Sequence, residues 1–133
     1  MNKSLSITLA SNLDELERVD AYIQQIIGLT GLDPAKEHNI MLVLTEAVAN
    51  AILHGNKEDP DKTVEIEALI TSNLLKIVVQ DQGPGFDPEK VPDPRKEENL
   101  LKSSGRGVWI MKEFADEVIY SDNGTRVALH FHI

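Results

Sequence analysis

One long apolar segment constrains the fold of this chain more than any other feature. Between Ile40 and Leu53 almost every residue is apolar, with Asp33-Pro34 before the segment and Gly55-Asn56 after it as helix start and stop signals. This pattern predicts a helix from Asp33 to about His54 that is apolar nearly all round and is the most buried helix of the chain. A chain of 133 residues can bury a real core, so we expect a single domain over residues 1–133.

Shorter patterns on both sides of this helix predict the rest of the fold. Alternating apolar and polar residues predict strands, and apolar residues at helical spacing predict two further helices. The order β-α-α-β-β-α-β-β favours an α/β (α+β) two-layer sandwich, with a mixed sheet and three helices on one face. The predicted strands are Ser4–Ala10, Val64–Ile70, Leu74–Gln80, Val118–Ser121 and Thr125–Ile133. The first helix is capped by Ser11 or Asn12 and stopped by Gly28 or Gly31, and Gly105-Arg106-Gly107 opens the third helix.

Charge and composition exclude several classes of function. The net charge of −9 argues against a general nucleic-acid binder and against docking on an anionic membrane, although a nucleotide ligand needs only backbone donors and a metal. The chain has no cysteine, which excludes disulfides, thiolate zinc sites and thiol nucleophiles. The start of the chain has no signal-peptide pattern, and no apolar run reaches the ~18 residues needed to span a bilayer. We expect a cytoplasmic protein with no direct nucleic-acid or membrane partner.

A row of polar residues interrupts the apolar helix. Glu46, Asn50 and His54 follow one another at a spacing of four, which places them along one helical face. Polar groups on a buried helix are costly unless they line a cavity or find partners. Glutamate and asparagine oxygens are hard ligands suited to Mg²⁺. The alternative interpretation is that the row faces solvent at the edge of the helix.

Two glycine-rich motifs follow in the second half of the chain. Asp81-Gln-Gly83-Pro-Gly85 comes directly after a buried strand, where the carboxylate could accept a hydrogen bond from the exocyclic amine of a base. Ser104-Gly105-Arg106-Gly107 lies before a helix, whose free N–H groups could hold phosphates with help from the arginine. Taken separately, the first motif is also good turn chemistry, and the second could be a flexible loop.

The stretch between these two motifs is rich in proline and charge. Residues 87–104 include Pro88, Pro92 and Pro94 and then four charged residues in a row. So long a connection in a small domain predicts a lid or a binding loop.

Together and in this order, the motifs resemble the GHKL superfamily of ATP-binding domains, which implies the Bergerat fold. The matching runs are Glu46-Ala-Val-Ala-Asn50, Asp81-Gln-Gly-Pro-Gly85, Gly105-Arg-Gly107 and Gly124-Thr125, and the likeness extends from about Pro34 to the end. The small size, the lid sequence and the run Ser104–Val108 are most similar to anti-sigma-factor serine/threonine kinases of the RsbW type.

The resemblance implies a role for each matched residue. Asn50 would coordinate Mg²⁺ that bridges the ATP phosphates, and Glu46 would be the catalytic general base or a water-positioning group near the γ-phosphate. Asp81 would bind the adenine amine, helped by Thr125. The matched glycines and arginine would share two roles: Gly83 and Gly85 would shape the adenine pocket, and Gly105, Arg106 and Gly107 would hold the phosphates. No role follows for His54, and we interpret His130 and His132 as sheet surface rather than a metal site.

Three functions remain open from the sequence. The first is a cytoplasmic kinase that phosphorylates Ser or Thr of an antagonist protein, binds a sigma factor or a similar regulatory target, and forms a homodimer. The second is a non-catalytic, ATP-gated binding module. The third is a stand-alone histidine-kinase-like ATPase domain, which is disfavoured because no helix pair with a phospho-accepting His is visible. The presence of both Glu46 and Asn50 favours the first function over the second.

Overall fold

The computed structural model describes residues 2–85 and 103–133, apart from the side chains of residues 103–106 and 108. The elements in chain order are β1 (Lys3–Ala10), α1 (Leu16–Thr30), α2 (Pro34–Asn50), β2 (Thr63–Ile70), β3 (Leu74–Gln80), α3 (Ser103–Phe114), β4 (Glu117–Ser121) and β5 (Arg126–His132). A short 3₁₀ helix, Leu13–Glu15, precedes α1, and a π-helical turn, Ala51–Gly55, continues α2. The predicted order of elements is confirmed.

The strands form one sheet in the order β1-β2-β3-β5-β4, and every described pair is antiparallel. The expected mixed sheet is therefore wrong in this detail. Two helices, α1 and α2, connect β1 to β2. The chain runs back along the sheet in α1 and forward again in α2, so β2 runs opposite to β1. One helix connects β3 to β4, which run in the same direction, but β5 lies between them and pairs with both.

The core lies on one face of this sheet, between the strands and the helices. Alternation along β2 is clear, because Val64, Ile66 and Ala68 are buried whereas Glu65 and Glu67 are exposed. The fully buried side chains of the core come from every layer: Leu9, Ile23, Ile26, Ile40, Leu44, Ile52, Ile66, Leu75, Ile77, Met111 and Leu129. Among the described residues, no helix has the length and apolar character that crossing a membrane requires.

Local capping explains where the helices begin and end. Asn12 accepts a hydrogen bond from the Asp14 N–H at 2.9 Å, and Asp33 caps α2 with Pro34 at its first position. Gly31, at φ +65°, closes α1 in the left-handed region. Of the two predicted caps, Asn12 is therefore the one used, and it caps the short 3₁₀ helix that leads into α1. Gly31 rather than Gly28 stops α1.

The third helix begins earlier than predicted. It starts at Ser103, so Gly105 and Gly107 lie inside its first turns instead of preceding it. Ser103 and Ser104, the last two residues of the expected lid at about 87–104, belong to this helix. Residues 87–102 lie outside the described part of the chain, so the lid stays a prediction.

Candidate functional site

The turn after β3 holds the Asp81 carboxylate in a fixed position. The Asp81 N–H donates to the Thr125 carbonyl at 2.9 Å, and the Gly83 N–H donates to Asp81 Oδ1 at 2.8 Å. The carboxylate lies directly against the backbone of Gly55, where a built Cβ would be 2.4 Å from Asp81 Oδ2. Asp81 is thus packed onto the last residue of the π-helical turn.

Burial raises the pKa of Asp81 above its ordinary value. The loss of water around the carboxylate is the largest cause, and the Gly83 N–H and the Lys62 ammonium partly oppose it by favouring the charged form. A half-buried acceptor of this kind is suited to a ligand N–H group, which would replace the missing water.

Both glycines of the motif lie where a side chain has no room. A Cβ at Gly83 would be 1.9 Å from the Gly55 carbonyl oxygen, and a Cβ at Gly85 would be 2.1 Å from the Asn123 carbonyl oxygen. Gly85 also has φ +86°, in the region that favours glycine. These contacts join the motif to the π-helical turn on one side and to the β4–β5 hairpin on the other.

The hairpin places Thr125 beside Asp81. The Thr125 hydroxyl accepts from Gln80 Nε2 at 3.1 Å and donates to the Asp122 carbonyl at 2.7 Å. Gln80 Nε2 also donates to the Asp81 carbonyl at 3.0 Å. Thr125 and Asp81, 44 positions apart in the sequence, therefore share one small network.

On α2, the polar row separates into buried and exposed parts. Glu46 and Asn50 are half-buried, and His54 is exposed on the π-helical turn. Neither the Glu46 nor the Asn50 side chain has a hydrogen-bond partner among the described side chains, which do not include those of residues 103–106 and 108, or among the described backbone groups. Two half-buried oxygen ligands without a described partner have the donor chemistry that Mg²⁺ prefers.

Asn50 faces the start of α3. A Cβ at Gly107 would lie 2.6 Å from Asn50 Nδ2 and 3.1 Å from Oδ1, so this glycine lets the two helices approach closely. The first four N–H groups of a helix have no partner within it, and in α3 these belong to residues 103–106, including Gly105. Gly107 lies beyond these four, so it brings Asn50 close rather than offering a free N–H. The Arg106 side chain lies outside the described part of the chain.

Two predicted surface residues lie away from this site. His130 is on β5, with Nδ1 3.5 Å from Glu117 Oε2, and His132 is near the end of the same strand. Within the described ranges, no group of three or more His, Asp or Glu residues could hold a metal ion.

Comparison with known proteins identifies this arrangement. Residues 9–131 match the model of the histidine kinase-like ATPase domain. The chain belongs to this family. The resemblance to GHKL domains of the RsbW type, inferred from the motifs, is confirmed.

Relatives within the histidine kinase-like ATPase family are named anti-sigma F factors. The one from Geobacillus kaustophilus is 40% identical over 77% of this chain and 75% of its own length. The one from Halalkalibacterium halodurans is 36% identical over 98% of this chain and 91% of its own. The solved RsbU and RsbW domains of Rv1364c from Mycobacterium tuberculosis match at TM-score 0.65 and 17% identity, over 98% of this chain. This match covers 32% of that longer chain and shows the fold.

Sequence reasoning missed the side chains that support the ATPase-type site from behind. Gln80 donates to the Asp81 carbonyl, Asn56 accepts from the Gln82 N–H, and Gln82 Oε1 accepts from the Thr63 N–H. Ser11 accepts from Asn56 and so supports it from behind. The sequence carries one weak signal for these residues, the Gly55-Asn56 pair, which also predicts the end of the helix. The close approach of Gly55 to Asp81 has no sequence signal, because the partners are 26 positions apart.

Proposed function

We propose that this chain is an ATP- and Mg²⁺-dependent regulator of the anti-sigma type, acting in the cytoplasm as a serine/threonine protein kinase on an antagonist protein. One observation carries the proposal. The Asp81 turn packs on the π-helical turn that directly continues the helix bearing Glu46 and Asn50. A base held at Asp81 and phosphates held near Asn50 would then lie along one helix end, as a single nucleotide requires.

The base end of the site rests on Asp81. Its carboxylate is the acceptor for the adenine amine, and Thr125 supports the same network through its hydroxyl. Gly83 and Gly85 shape the pocket for the base by letting the turn lie directly against the π-helical turn and the β4–β5 hairpin, because a side chain at either position would meet a backbone oxygen. A carboxylate acceptor favours a base with an exocyclic N–H group over one with a carbonyl at the same place.

The phosphate end rests on α2 and α3. Asn50 supplies the protein oxygen for Mg²⁺, and the free N–H groups at the start of α3, including that of Gly105, receive phosphate oxygens. Gly107 permits this geometry by letting Asn50 approach α3, and Arg106 adds a cation. When bound, Mg²⁺ supplies charge neutralisation at the phosphates.

Glu46 lies one helical turn before Asn50. Its carboxylate would accept the proton of the substrate Ser or Thr hydroxyl as that oxygen attacks the γ-phosphorus, while the bond from the γ-phosphorus to the oxygen bridging it to the β-phosphate breaks and ADP leaves. This proton transfer contributes roughly 10²–10⁴-fold in rate. Glu46 adds little to ATP affinity, because it is an anion near anionic phosphates.

The relatives' name bears on one of the proposed partners. Anti-sigma F factor supports a sigma factor as the binding target of this chain. An antagonist protein as phosphate acceptor and a homodimer as the assembled form are further parts of our proposal. The proposal includes no direct binding to nucleic acid or to a membrane.

The deciding experiment is transfer of labelled γ-phosphate to candidate antagonist proteins. Glu46→Gln is expected to bind Mg·ATP like the parent and to lose most phosphate transfer. Glu37→Gln, on the first turn of the same helix, is the matched control and should transfer normally. Parental transfer by Glu46→Gln would exclude Glu46 as the base. An absence of transfer by the parent, with ATP still bound, would instead support a non-catalytic ATP-gated binding module.

A further inference from the structure

Asn56 lies at the centre of a buried network behind the Asp81 turn. It is 1% exposed, and its Nδ2 donates to Ser11 Oγ at 2.9 Å and to the Thr63 carbonyl at 2.9 Å. Its Oδ1 accepts from the Gln82 N–H at 2.7 Å. One side chain therefore holds together the segment after β1, the start of β2 and the residue after Asp81.

The position requires an amide. An asparagine side chain has two N–H donors and one carbonyl acceptor, and all three parts of Asn56 are used. A carboxylate could accept from Gln82 but could not donate to the Thr63 carbonyl. An apolar residue would leave the Gln82 N–H without its partner in a half-buried turn.

The Gln82 bond reaches Asp81 through the backbone. Gln82 is the next residue, and the Gly83 N–H that holds Asp81 Oδ1 is one peptide further on. On the other side of Asp81, Gln80 Nε2 holds the Asp81 carbonyl and the Thr125 hydroxyl. Three amide side chains thus brace the turn. On the half that orients the carboxylate, Asn56 accepts from the Gln82 N–H, and Gln82 Oε1 accepts from the Thr63 N–H at 2.7 Å.

We propose that Asn56 is a positioning residue that sets the direction of the Asp81 carboxylate and thereby the base selectivity of the site. The proposal rests on the proposed ATP-binding function. A positioning role predicts an effect on the base alone, which a purely structural role does not predict. Loss of Asn56 weakens recognition of the base, whereas contacts with the phosphates on α2 and α3 stay intact.

The test compares Asn56→Ala with Ser11→Ala. Ser11→Ala removes two other bonds of the same buried network, the one from Asn56 Nδ2 and the one to the Lys62 carbonyl, but keeps the bond from the Gln82 N–H to Asn56. Calorimetric titrations with Mg·ATP and Mg·GTP give the ratio of affinities for each variant. Asn56→Ala is expected to lose about tenfold in ATP affinity with little change for GTP. Ser11→Ala should keep the parental ratio even where its melting temperature falls by a similar amount.

Asn56→Asp is the conservative variant, because it keeps the acceptor for the Gln82 N–H. It should retain the preference for ATP over GTP despite lower stability, and it carries the test if Asn56→Ala does not fold. A parental ratio in Asn56→Ala, or a ratio lost in Asn56→Asp but kept in Ser11→Ala, would overturn the positioning role.

Amide exchange of the nucleotide-free protein separates this proposal from the proposed function. The Gln82 amide should exchange faster in Asn56→Ala than in Ser11→Ala. If the parent fails to prefer ATP, the proposed function is wrong, and the exchange rates still decide whether Asn56 braces the turn. Equal Gln82 exchange in the parent and in Asn56→Ala would reject the positioning role.

Discussion

Glycines at the site differ in what stands in the way of a side chain. At Gly83 the obstacle is the backbone oxygen of Gly55, which cannot rotate away, whereas at Gly55 it is the Asp81 side chain. Gly28 has nothing within 4 Å of a built Cβ. A side chain would thus clash with backbone at Gly83, clash with a side chain at Gly55 and meet nothing at Gly28. Only the packing distinguishes these three cases.

Gly83→Ala should destabilise the protein by about 2–3 kcal/mol, because the turn must shift to relieve the overlap with the Gly55 carbonyl. Gly28→Ala, at an exposed position of α1, is the control and should stabilise the protein by about 0.5–1 kcal/mol. Urea unfolding of both variants checks the prediction. A Gly83→Ala protein as stable as the parent would show that the turn is not held against the π-helical turn.

Asp81→Asn should stabilise the folded protein at neutral pH while weakening ATP binding. Because the pKa of Asp81 is raised in the folded state, the ionised carboxylate disfavours folding once the pH exceeds its folded pKa. The amide has no such cost and can still accept from the Gly83 N–H. The gain should be below about 1 kcal/mol, because solvent screens a half-exposed group.

The pH dependence provides the check. Below the ordinary carboxyl pKa of 3.8, Asp81 is protonated in both the folded and the unfolded states, so the advantage of the variant should disappear there. Unfolding measured at pH 7 and at about pH 3 compares the two conditions. A parent more stable than Asp81→Asn at pH 7 would contradict the assignment.

At the scale of elements, signals within a few residues predicted the helices and strands. They did not predict a feature whose conformation depends on residues far away in the sequence. The Asp33-Pro34 cap and the Asp122-Asn123-Gly124 hairpin act within a few residues, so both could be predicted. The π-helical turn Ala51–Gly55 could not be predicted in this way. Asn56 is tied to Ser11 and Gln82, 45 and 26 positions away, while its N–H reaches back to the Ala51 carbonyl.

The directions of the strands show the same limit of sequence-based prediction. The mixed sheet was wrong because the position of β5 between β3 and β4 is a matter of assembly, and no residue of β5 signals it. Asp81, Thr125, Asn50 and Gly107 were predicted as site residues, and the structure brings them into two contacting pairs. Their roles toward a nucleotide stay predictions.

The contact between α2 and α3 predicts the effect of a substitution at Gly107. Gly107→Ala should push the Asn50 side chain away and remove the Mg²⁺ dependence of ATP binding, with a small stability change because a side chain can yield. Calorimetry with Mg²⁺ and with chelator measures this dependence. Adding Gly107→Ala to Asn50→Ala should cause no further loss, and additive losses would show that the glycine acts elsewhere.

At the scale of the whole molecule, one core implies one unfolding transition. The buried residues of the helices and of the sheet form a single cluster that runs from Leu9 to Phe131. Mg·ATP at a hundredfold excess over its dissociation constant should add about 2.7 kcal/mol and raise Tm by roughly 8–10 °C. Scanning calorimetry should show one peak that moves with Mg·ATP. Two separate peaks, or a shift of equal size without Mg²⁺, would contradict this prediction.

The place of β5 in the sheet also bears on how the protein is made. During synthesis on the ribosome, β3 and β4 emerge before the strand that joins them, since β5 is the last described strand in the sequence. Until Arg126–His132 is released, both strands of the nascent chain expose unpaired edges. The sheet therefore cannot be completed until Arg126–His132 has left the ribosome, and a ribosome stalled before Arg126 would hold a chain exposed to wrong pairing with its neighbours.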